Sequence, residues 1–389
     1  MRLDVAILGG GIAGLWLLAR LRAQGYAAML FEAEALGAGQ TLASQGIIHG
    51  GLKYAIDLKL GQDADALADM PTRWRACLEG KGDVDLAGVQ VNALHHLFWA
   101  RRSIASRITG FFGSKLLRGR VEAMPEADWP PALRDPAHVG AVYRLDEIVL
   151  DVPSLLAHFA TRLAPWIKLC GADFRIERMG DGIAALLLRD PMGEERRIEA
   201  GRYVFAAGAG NEQALAMLGQ PASRAQRRPL RMLLIEGVPS PLYAHCFDTS
   251  DKPRVTVTTH RTAAGKLVWY VGGQIAEAGA TQDDAALIDA AKREFATLLP
   301  RLDLSTCRFA GWHVDRAEGA TPDGRKPDAP VIQAHGNALL AWPTKLALAP
   351  GLADTLLPML PPPAVGTIAA DGWPAPPIAT PIWERAAWR

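Results

Sequence analysis

Three glycines and one acid near the N terminus have residue types and spacing that suit a phosphate-bearing ligand. Gly9, Gly11 and Gly14 follow an apolar run at residues 3–8, and Glu32 lies eighteen residues after Gly14. The first glycine permits a tight turn, the second lets a pyrophosphate approach the backbone, and the third lets a helix pack closely on a strand. A carboxylate at this distance can accept hydrogen bonds from ribose hydroxyls. The predicted dinucleotide site also includes neighbours of these residues: Ile12, Ala13 and Ala33.

The elements around these residues support the same prediction. The apolar run is typical of a strand, a helical run follows the glycines, and residues 28–31 form a second predicted strand that ends at Glu32. A helix that begins at the glycine turn offers N–H groups and a partial positive charge to phosphates. A lone glycine triplet is weak evidence, whereas strand, glycines, helix, strand and acid in this order indicate a Rossmann-like fold.

Three further segments favour a flavin over a nicotinamide as the redox end of the dinucleotide. The first, residues 44–54, is a glycine-containing loop whose backbone N–H groups can face flavin heteroatoms. In the second, a predicted strand at residues 202–205 leads into a turn of small residues that a cofactor can approach closely. The third, residues 338–350, precedes a predicted helix at residues 351–359 with Pro350 in its first turn. The residues expected to contact the flavin lie in these segments: Ser44, Gln45, Gly46, Ile48, Ala207, Gly208, Thr344, Lys345 and Leu346.

Two of these segments carry side chains suited to redox chemistry. Lys345 can place a cation beside the flavin, where it stabilises negative charge on the reduced ring. His49 can accept a proton from a substrate. Each has a structural alternative, because Lys345 can be a surface lysine before a helix, and His49 can serve only to hold the loop by a hydrogen bond.

Together these motifs resemble the D-amino-acid oxidase superfamily of flavoproteins. Residues 48–54 and the Lys345-Leu346 pair are locally most similar to glycerol-3-phosphate dehydrogenases and to L-2-hydroxyglutarate oxidases, with Lys53 where the glycerol-3-phosphate enzymes usually carry arginine. The resemblance implies FAD as cofactor and hydride transfer from a C–OH or C–N bond of a small substrate to the flavin N5 atom. It also implies an α/β (α+β) fold, in which a Rossmann-like FAD-binding domain is interleaved with a substrate domain built on a mostly antiparallel sheet.

The resemblance suggests roles for four side chains. Lys53 and Tyr54 would face an anionic substrate group, with lysine acting as a point charge rather than a bidentate fork. Arg316 would clamp a substrate carboxylate or phosphate, although an ordinary surface arginine is the alternative. His49 could instead be a covalent attachment point for the flavin, as the corresponding histidine is in dimethylglycine dehydrogenases.

The chain is long enough for two domains. By resemblance, the FAD-binding domain would comprise residues 1–80, 140–215 and 325–360, the substrate domain residues 81–139 and 216–324, and a proline- and tryptophan-rich tail residues 361–389. Asp151 opens a helical pattern that fits the return to the FAD-binding domain. Residues 256–259 and 267–271 are predicted strands of the substrate domain. We expect the tail to wrap the surface in extended form.

The composition indicates no unusual partner or compartment. The 389 residues carry a formal net charge of +1, so we expect no nucleic-acid partner. Four cysteines without CxxC spacing argue against a metal site or a disulfide framework and fit a reducing compartment. The first strand begins directly after Met1-Arg2, and no apolar run is long enough to span a bilayer, so the cytoplasm is the expected location.

One basic stretch leaves a peripheral membrane contact open. Residues 101–120 contain six cations and no acid, with apolar residues at helical spacing between them. Such a helix can lie on an anionic membrane and deliver electrons to a quinone. A substrate-domain helix with one buried face has the same pattern and is the favoured interpretation.

The sequence therefore predicts an FAD-dependent dehydrogenase or oxidase that acts on a small anionic substrate, with oxygen or a quinone as electron acceptor. A 2-hydroxy acid or a glycerol-phosphate-like alcohol is favoured over an amino acid because of residues 49–54. Three alternatives remain open. They are a tRNA-modifying flavoprotein, which the near-neutral charge disfavours, a flavin-binding interaction protein without turnover, and a nicotinamide enzyme.

Overall fold

The apolar N-terminal run forms β1 (Arg2–Leu8), a central strand of the first sheet, in a computed structural model. The structure describes residues 1–50, 67–105, 121–247, 252–327, 329–366 and 372–389. Every residue of β1 after Arg2 is buried, as expected for a strand that is covered on both faces. The predicted strand, helix and strand correspond to β1, α1 (Ile12–Ala23) and β2 (Ala28–Glu32).

The other strands and helices follow in chain order. The strands are β3 (Ile47–Ile48), β4 (Val91–Ala93), β5 (His96–Arg101), β6 (Val121–Ala123), β7 (Val139–Leu145), β8 (Ile148–Leu150), β9 (Ile167–Leu169), β10 (Phe174–Met179), β11 (Gly182–Arg189), β12 (Glu195–Phe205), β13 (Ala225–Glu236), β14 (Ala244–Phe247), β15 (Val255–Arg261), β16 (Leu267–Gly272), β17 (Arg308–Gly319), β18 (Val331–His335) and β19 (Ala338–Trp342). The helices are α2 (Met70–Leu78), α3 (Val152–Leu163), α4 (Asn211–Met217), α5 (Gln274–Ala278), α6 (Asp284–Leu298), α7 (Ala349–Leu356) and α8 (Ile382–Arg385).

The first sheet has a parallel centre. In it β9, β2, β1, β12 and β19 lie side by side and run in parallel. The β10–β11 hairpin extends the sheet along the first part of β12, and β18 pairs antiparallel with β19. Because the central strands are parallel, their carboxyl ends meet at one edge, which is where open α/β sheets bind their ligands.

The second sheet is almost entirely antiparallel. Its strand order is β17-β13-β16-β15-β14-β5-β7-β6, and only β14 and β5 run in parallel. The predicted strands at residues 256–259 and 267–271 lie within β15 and β16. A third, small sheet has the order β3-β8-β4. The predicted fold class, a mixed α/β fold with a mostly antiparallel second sheet, is confirmed.

Local residue chemistry accounts for two of the helix boundaries. Asp151 caps α3 by accepting a hydrogen bond from Ser154 N at 2.8 Å. The helix predicted at residues 351–359 is observed from Ala349, and its α-helical part ends at Leu356. Pro358 gives the reason, since it has no N–H and its ring clashes with the preceding helical turn. A short 3-10 turn continues to Met359.

The C-terminal tail packs against the body of the protein. Asp4 Oδ1 accepts hydrogen bonds from the backbone N–H groups of Ala364 and Val365, both at 2.9 Å. The ring of Trp373 lies 5.3 Å from that of Phe31, between centroids. The described part of the tail forms no helix other than α8, which the sequence did not predict.

Among the described residues, no helix combines the length and apolar character needed to cross a bilayer. Most of the basic stretch, residues 106–120, lies outside the described residues. Peripheral membrane contact and the cytoplasmic location therefore stay predictions, as do the proposed domain boundaries.

Candidate functional site

A large cavity lies between the carboxyl edge of the parallel strands and one face of the second sheet. Its volume is about 1780 Å³. A pocket for one drug-sized molecule measures roughly 300–1,000 Å³, so the cavity has room for a dinucleotide together with a small substrate. Residues at the ends of three parallel strands line it: Leu8, Glu32 and Phe205.

The glycine turn after β1 forms one wall of this cavity. Gly9 has φ 110°, and a β-carbon there would lie 2.6 Å from the Ala206 carbonyl oxygen, so only glycine fits. Gly9, Gly11, Ile12 and Ala13 line the cavity. Gly14 does not line it. A β-carbon at Gly14 would lie 2.1 Å from the Gly9 carbonyl oxygen, so this glycine allows α1 to pack against the turn.

The N terminus of α1 is open toward the cavity. Its cap residue, Gly11, supplies no side-chain hydrogen bond, and the first turn contains no acid. Thr41 Oγ1 accepts the Ile12 N–H at 2.9 Å. The partial positive charge of the helix start can therefore act on a phosphate.

Glu32 ends β2 at the same wall, beside Ala33. One carboxylate oxygen accepts the Gly10 N–H and the other accepts the Glu34 N–H at 3.0 Å. A carboxylate can accept about four hydrogen bonds, so capacity remains for ribose hydroxyls.

The loop before β3 lines the cavity and is tied to the second sheet. Ser44, Gln45 and Gly46 all line the cavity. The side-chain amide of Gln45 donates to the carbonyl oxygens of Thr256 at 3.0 Å and Tyr270 at 2.9 Å. Gln45 lines the cavity, its amide nitrogen links the loop to the sheet, and its predicted contact with the cofactor stays a prediction.

The side chains of Ile47, Ile48 and His49, in β3 and directly after it, point alternately toward the cavity and away from it. Ile47 and His49 line the cavity, whereas Ile48 does not and is completely buried in the core. Successive side chains of a strand point to opposite faces, so the Ile48 side chain lies on the core side, and a contact of Ile48 with the cofactor stays a prediction.

Two turns, one after β12 and one after β19, complete this part of the cavity. Thr344, Lys345 and Leu346 line the cavity, as do Ala207 and Gly208. Gly208 has φ 57°, a conformation that favours glycine.

Thr344 has the features of a ligand-binding position. Lys345 N donates to the Pro343 carbonyl oxygen at 2.8 Å and closes a tight turn in which Thr344 has φ 63°. The Thr344 Oγ1 atom is buried without a hydrogen-bond partner. A buried hydroxyl of this kind is costly unless a ligand completes its hydrogen bond, and so the residues present fit FAD.

His49 lies beside a buried carboxylate that the sequence did not identify. Glu147 is 2% exposed; its Oε2 lies 3.3 Å from His49 Nδ1, and its Oε1 accepts the Gly50 N–H at 2.9 Å. Burial raises the pKa of Glu147, but the charge and hydrogen bond of His49 outweigh this effect, so the net shift is downward. Glu147 is therefore ionised at neutral pH.

Two more histidines lie next to this pair. The ring of His245 stacks on His49 at 5.8 Å between centroids, and His96 lies 4.1 Å from His245. Burial lowers the pKa of His96 to about 4, so its ring is neutral. The ligand-type atoms of His49, Glu147 and His245 lie within 4.8 Å of one another, a spacing that a metal ion can accept, although the sequence predicted no metal.

A face of the second sheet forms the wall opposite the glycine turn. Paired residues of β13 and β17 line it: Arg228, Leu230 and Met232 opposite Arg316, Val314 and Trp312. Arg228 makes two 2.7 Å hydrogen bonds to the buried carboxylate of Glu318.

Arg316 differs from Arg228 in its partners. Its Nε donates to the Arg228 carbonyl oxygen at 3.2 Å, and among the described residues no carboxylate lies at ion-pair distance from it. Burial and the neighbouring charge of Arg228 lower the pKa of Arg316 by more than the charges of Glu318 and Glu277 raise it. An arginine nonetheless stays charged, so Arg316 presents to the cavity a cation that has no ion-pair partner among the described residues.

The tail contributes to the cavity, which the sequence did not predict. Ile382 and Arg385 line it, and the Arg385 guanidinium lies 5.4 Å from the Trp312 ring centroid. Trp383 stacks on His260 at 4.2 Å between centroids. The tail therefore closes one side of the cavity wall that β13 and β17 form. The predicted residues Lys53 and Tyr54 lie outside the described part of the chain.

Comparison with known proteins agrees with this geometry. The profile of the FAD dependent oxidoreductase (DAO) family matches residues 4–356. The chain is 47% identical over 388 residues to the probable FAD-dependent oxidoreductase PA4991 of Pseudomonas aeruginosa, covering 98% of each chain. The crystal structure of PA4991 superimposes with a TM-score of 0.85 and 41% identity, over 99% of this chain and 98% of that one.

More distant structures share the fold. Glycine oxidase from Geobacillus kaustophilus superimposes with a TM-score of 0.64 at 18% identity, over 95% of this chain and 96% of that one. L-alpha-glycerophosphate oxidase from Mycoplasma pneumoniae, with FAD bound, superimposes with a TM-score of 0.65 at 11% identity, over 98% and 99%.

The family match covers the predicted dinucleotide site and nearly all of the three sheets. The predicted cofactor, FAD, is confirmed, and the alternatives of a nicotinamide enzyme and of a flavin-binding protein without turnover are set aside. The chain therefore belongs to the DAO family and is an FAD-dependent oxidoreductase.

Proposed function

We propose that the protein oxidises a small anionic substrate at a carbon that carries an O–H or N–H group. The observation that carries this proposal is the guanidinium of Arg316 in the cavity wall, for which the described part of the chain supplies no carboxylate at ion-pair distance. A partly buried charge without a partner is unfavourable, so an anion that reaches Arg316 gains a charge-assisted hydrogen bond.

The remaining groups of the cavity fit the same reaction. FAD, when bound, supplies the group that accepts a hydride from the substrate carbon. Leu230, Met232 and Val314 line the wall beside Arg316 and reduce the access of water, which strengthens the electrostatic attraction of the anion. Lys345 adds positive charge to the same cavity. We assign Lys53 and Tyr54 to the substrate side on the strength of the sequence resemblance alone.

His49 supports an alcohol over an amine as the substrate. An alcohol must lose its O–H proton as the hydride leaves, so it needs a base within reach. A neutral amine already has a lone pair that can drive the same step. We therefore favour a 2-hydroxy acid or a phosphorylated alcohol, with His49 as proton acceptor and oxygen or a quinone as the final electron acceptor.

Binding of unreactive anions tests the role of Arg316 without knowledge of the substrate. Acetate and inorganic phosphate are titrated against the FAD-loaded protein, and the visible absorbance spectrum of the flavin is recorded. We expect saturable binding that Arg316→Leu weakens at least about tenfold, or about 1.4 kcal/mol. Arg301→Leu is the matched control, because Arg301 is 73% exposed and does not line the cavity.

Acetamide has the size and shape of acetate without its charge and serves as the second control. The proposal requires that acetamide leaves the spectrum unchanged at concentrations where acetate saturates. Equal binding of the two compounds, or unchanged anion binding by Arg316→Leu, would refute an anion site at Arg316.

A further inference from the structure

The pairing of two short strands places Glu147 opposite His49. β3 and β8 are antiparallel, with Ile47 opposite Val149 and Ile48 opposite Ile148. The next position along this ladder brings His49 to Glu147, although the two are 98 residues apart in sequence. His49 and Glu147 therefore lie directly beyond the paired residues of β3 and β8.

Glu147 uses both carboxylate oxygens at this position. One accepts the Gly50 N–H at 2.9 Å and the other lies 3.3 Å from His49 Nδ1. An ionised carboxylate can only accept hydrogen bonds. The proton of a neutral His49 ring must then reside on Nδ1, which makes Nε2 the accepting nitrogen.

We propose that Glu147 is a positioning residue that fixes the tautomer of His49, so that Nε2 takes the proton of the substrate. This inference rests on the proposed function, in which His49 is the proton acceptor. Glu147 would also stabilise the imidazolium that forms, since an opposite charge within about 4 Å favours the protonated ring.

Among the described residues around His49, Glu147 is the anionic partner for which a contact is observed. His245 stacks on His49, and His245 Nδ1 lies 2.8 Å from Thr256 Oγ1. The neutral ring of His96 packs beyond His245 and brings no charge. Asp146, next in sequence to Glu147, is 41% exposed and pairs with Arg75 at 2.7 Å.

The substitution Glu147→Gln changes hydrogen-bonding capacity at nearly constant shape. Glutamine has one accepting oxygen and one donating NH₂ group, so it cannot accept from both Gly50 N and His49 Nδ1. If its oxygen stays on the Gly50 N–H, its NH₂ group faces His49 Nδ1 and favours a proton on Nε2. The variant should therefore invert the tautomer.

Nitrogen-15 NMR of the histidine rings in FAD-loaded protein reads the tautomer without any substrate. The His49 signals are assigned by their loss in His49→Asn. We expect the Nδ1–H form in the wild type and a population shifted to Nε2–H in Glu147→Gln. Glu122→Gln is the control, because Glu122 is exposed, pairs with Arg144 and should leave His49 unchanged. Glu147→Asp, which keeps the charge, provides a second variant if Glu147→Gln does not fold.

The effect of the His49 tautomer on turnover is measured by steady-state kinetics with a substrate that reduces the enzyme. Glu147→Gln should lower kcat about 10- to 100-fold with little change in KM. Loss of the carboxylate also disfavours the imidazolium, so the acid limb of the kcat/KM profile should move to lower pH. The variant's FAD content and melting temperature show whether folding is preserved.

Three results would overturn the inference. One is a wild-type His49 in the Nε2–H form, and another is a tautomer change that leaves kcat and the pH profile unaltered. The third is a stoichiometric metal in purified protein that Glu147→Gln loses, because Glu147 would then be a metal ligand. Failure of the proposed function would be seen separately, as an inverted tautomer in a protein that no substrate reduces.

Discussion

At the scale of single residues, Thr344 combines two unfavourable features at one position. A positive φ costs a non-glycine residue about 1–3 kcal/mol, and a buried hydroxyl without a partner costs about 1–3 kcal/mol. The structure keeps both features in the wall of the cavity. A hydrogen bond from the Thr344 hydroxyl to FAD would remove the second cost.

The isosteric substitution Thr344→Val separates FAD binding from stability. It removes the hydroxyl and keeps the branched shape, so the FAD-free protein should be as stable as the wild type or slightly more stable. The dissociation constant of FAD should rise about five- to tenfold, since one hydrogen bond of about 1 kcal/mol is lost. Fluorescence titration and thermal unfolding of the FAD-free protein measure the two effects. Thr344→Ser keeps the hydroxyl and should bind FAD normally; weak binding by the serine variant together with tight binding by the valine variant would contradict this role.

Residues whose role depends on local spacing could be predicted from the sequence. Gly9, Gly11 and Glu32 line the cavity because one strand, one turn and the next strand place them there. Glu147 could not be predicted, because the register of β3 against β8 brings it to His49 and no local pattern encodes that register.

At the scale of elements, strand alternation and sheet pairing decide which side chains reach the cavity. The sequence predicted β15 and β16 but gave no indication of β13 and β17, whose paired residues form the cavity wall opposite the glycine turn. Along the middle of β13 and β17, side chains point alternately into the cavity and toward the opposite face of the sheet. On that opposite face α6 packs against Leu233 and Phe309. Arg316 was proposed by resemblance, whereas its neighbours Met232 and Trp312 become visible only from the pairing.

The C-terminal tail offers a test of how the wall formed by β13 and β17 is closed on one side. Trp383 is 3% exposed and stacks on His260, so Trp383→Ala should lower the free energy of unfolding by about 3–5 kcal/mol. Trp388, in the same tail, is partly exposed and contacts Arg308, so Trp388→Ala should cost about 1 kcal/mol. Urea unfolding measures both values. Equal, small effects would show that the tail does not secure the wall.

At the scale of the whole molecule, the cavity depends on segments that are far apart in sequence. The parallel edge comes from β1, β2 and β12, the opposite wall from β13 and β17, and one side from the tail. The net charge of the chain is only +1, whereas Lys345, Arg316 and Arg385 all face the cavity. The same cavity is also lined by carboxylates, among them Glu32, Glu277 and Glu318. Composition alone therefore could not predict which charges the fold brings to the cavity.

Anaerobic reduction of the FAD-loaded protein tests the central claim most directly. Paired donors, one with an anionic group and one without it, are compared by loss of the visible flavin absorbance: lactate with lactamide, glycerol 3-phosphate with glycerol, and glycine, for its carboxylate, with glycinamide. We predict that at least one anionic donor reduces the flavin at least about tenfold faster than its neutral or cationic counterpart, as expected for one lost charge-assisted contact. Reduction at equal rates by both members of each pair, or by none of the anionic donors, would contradict the account.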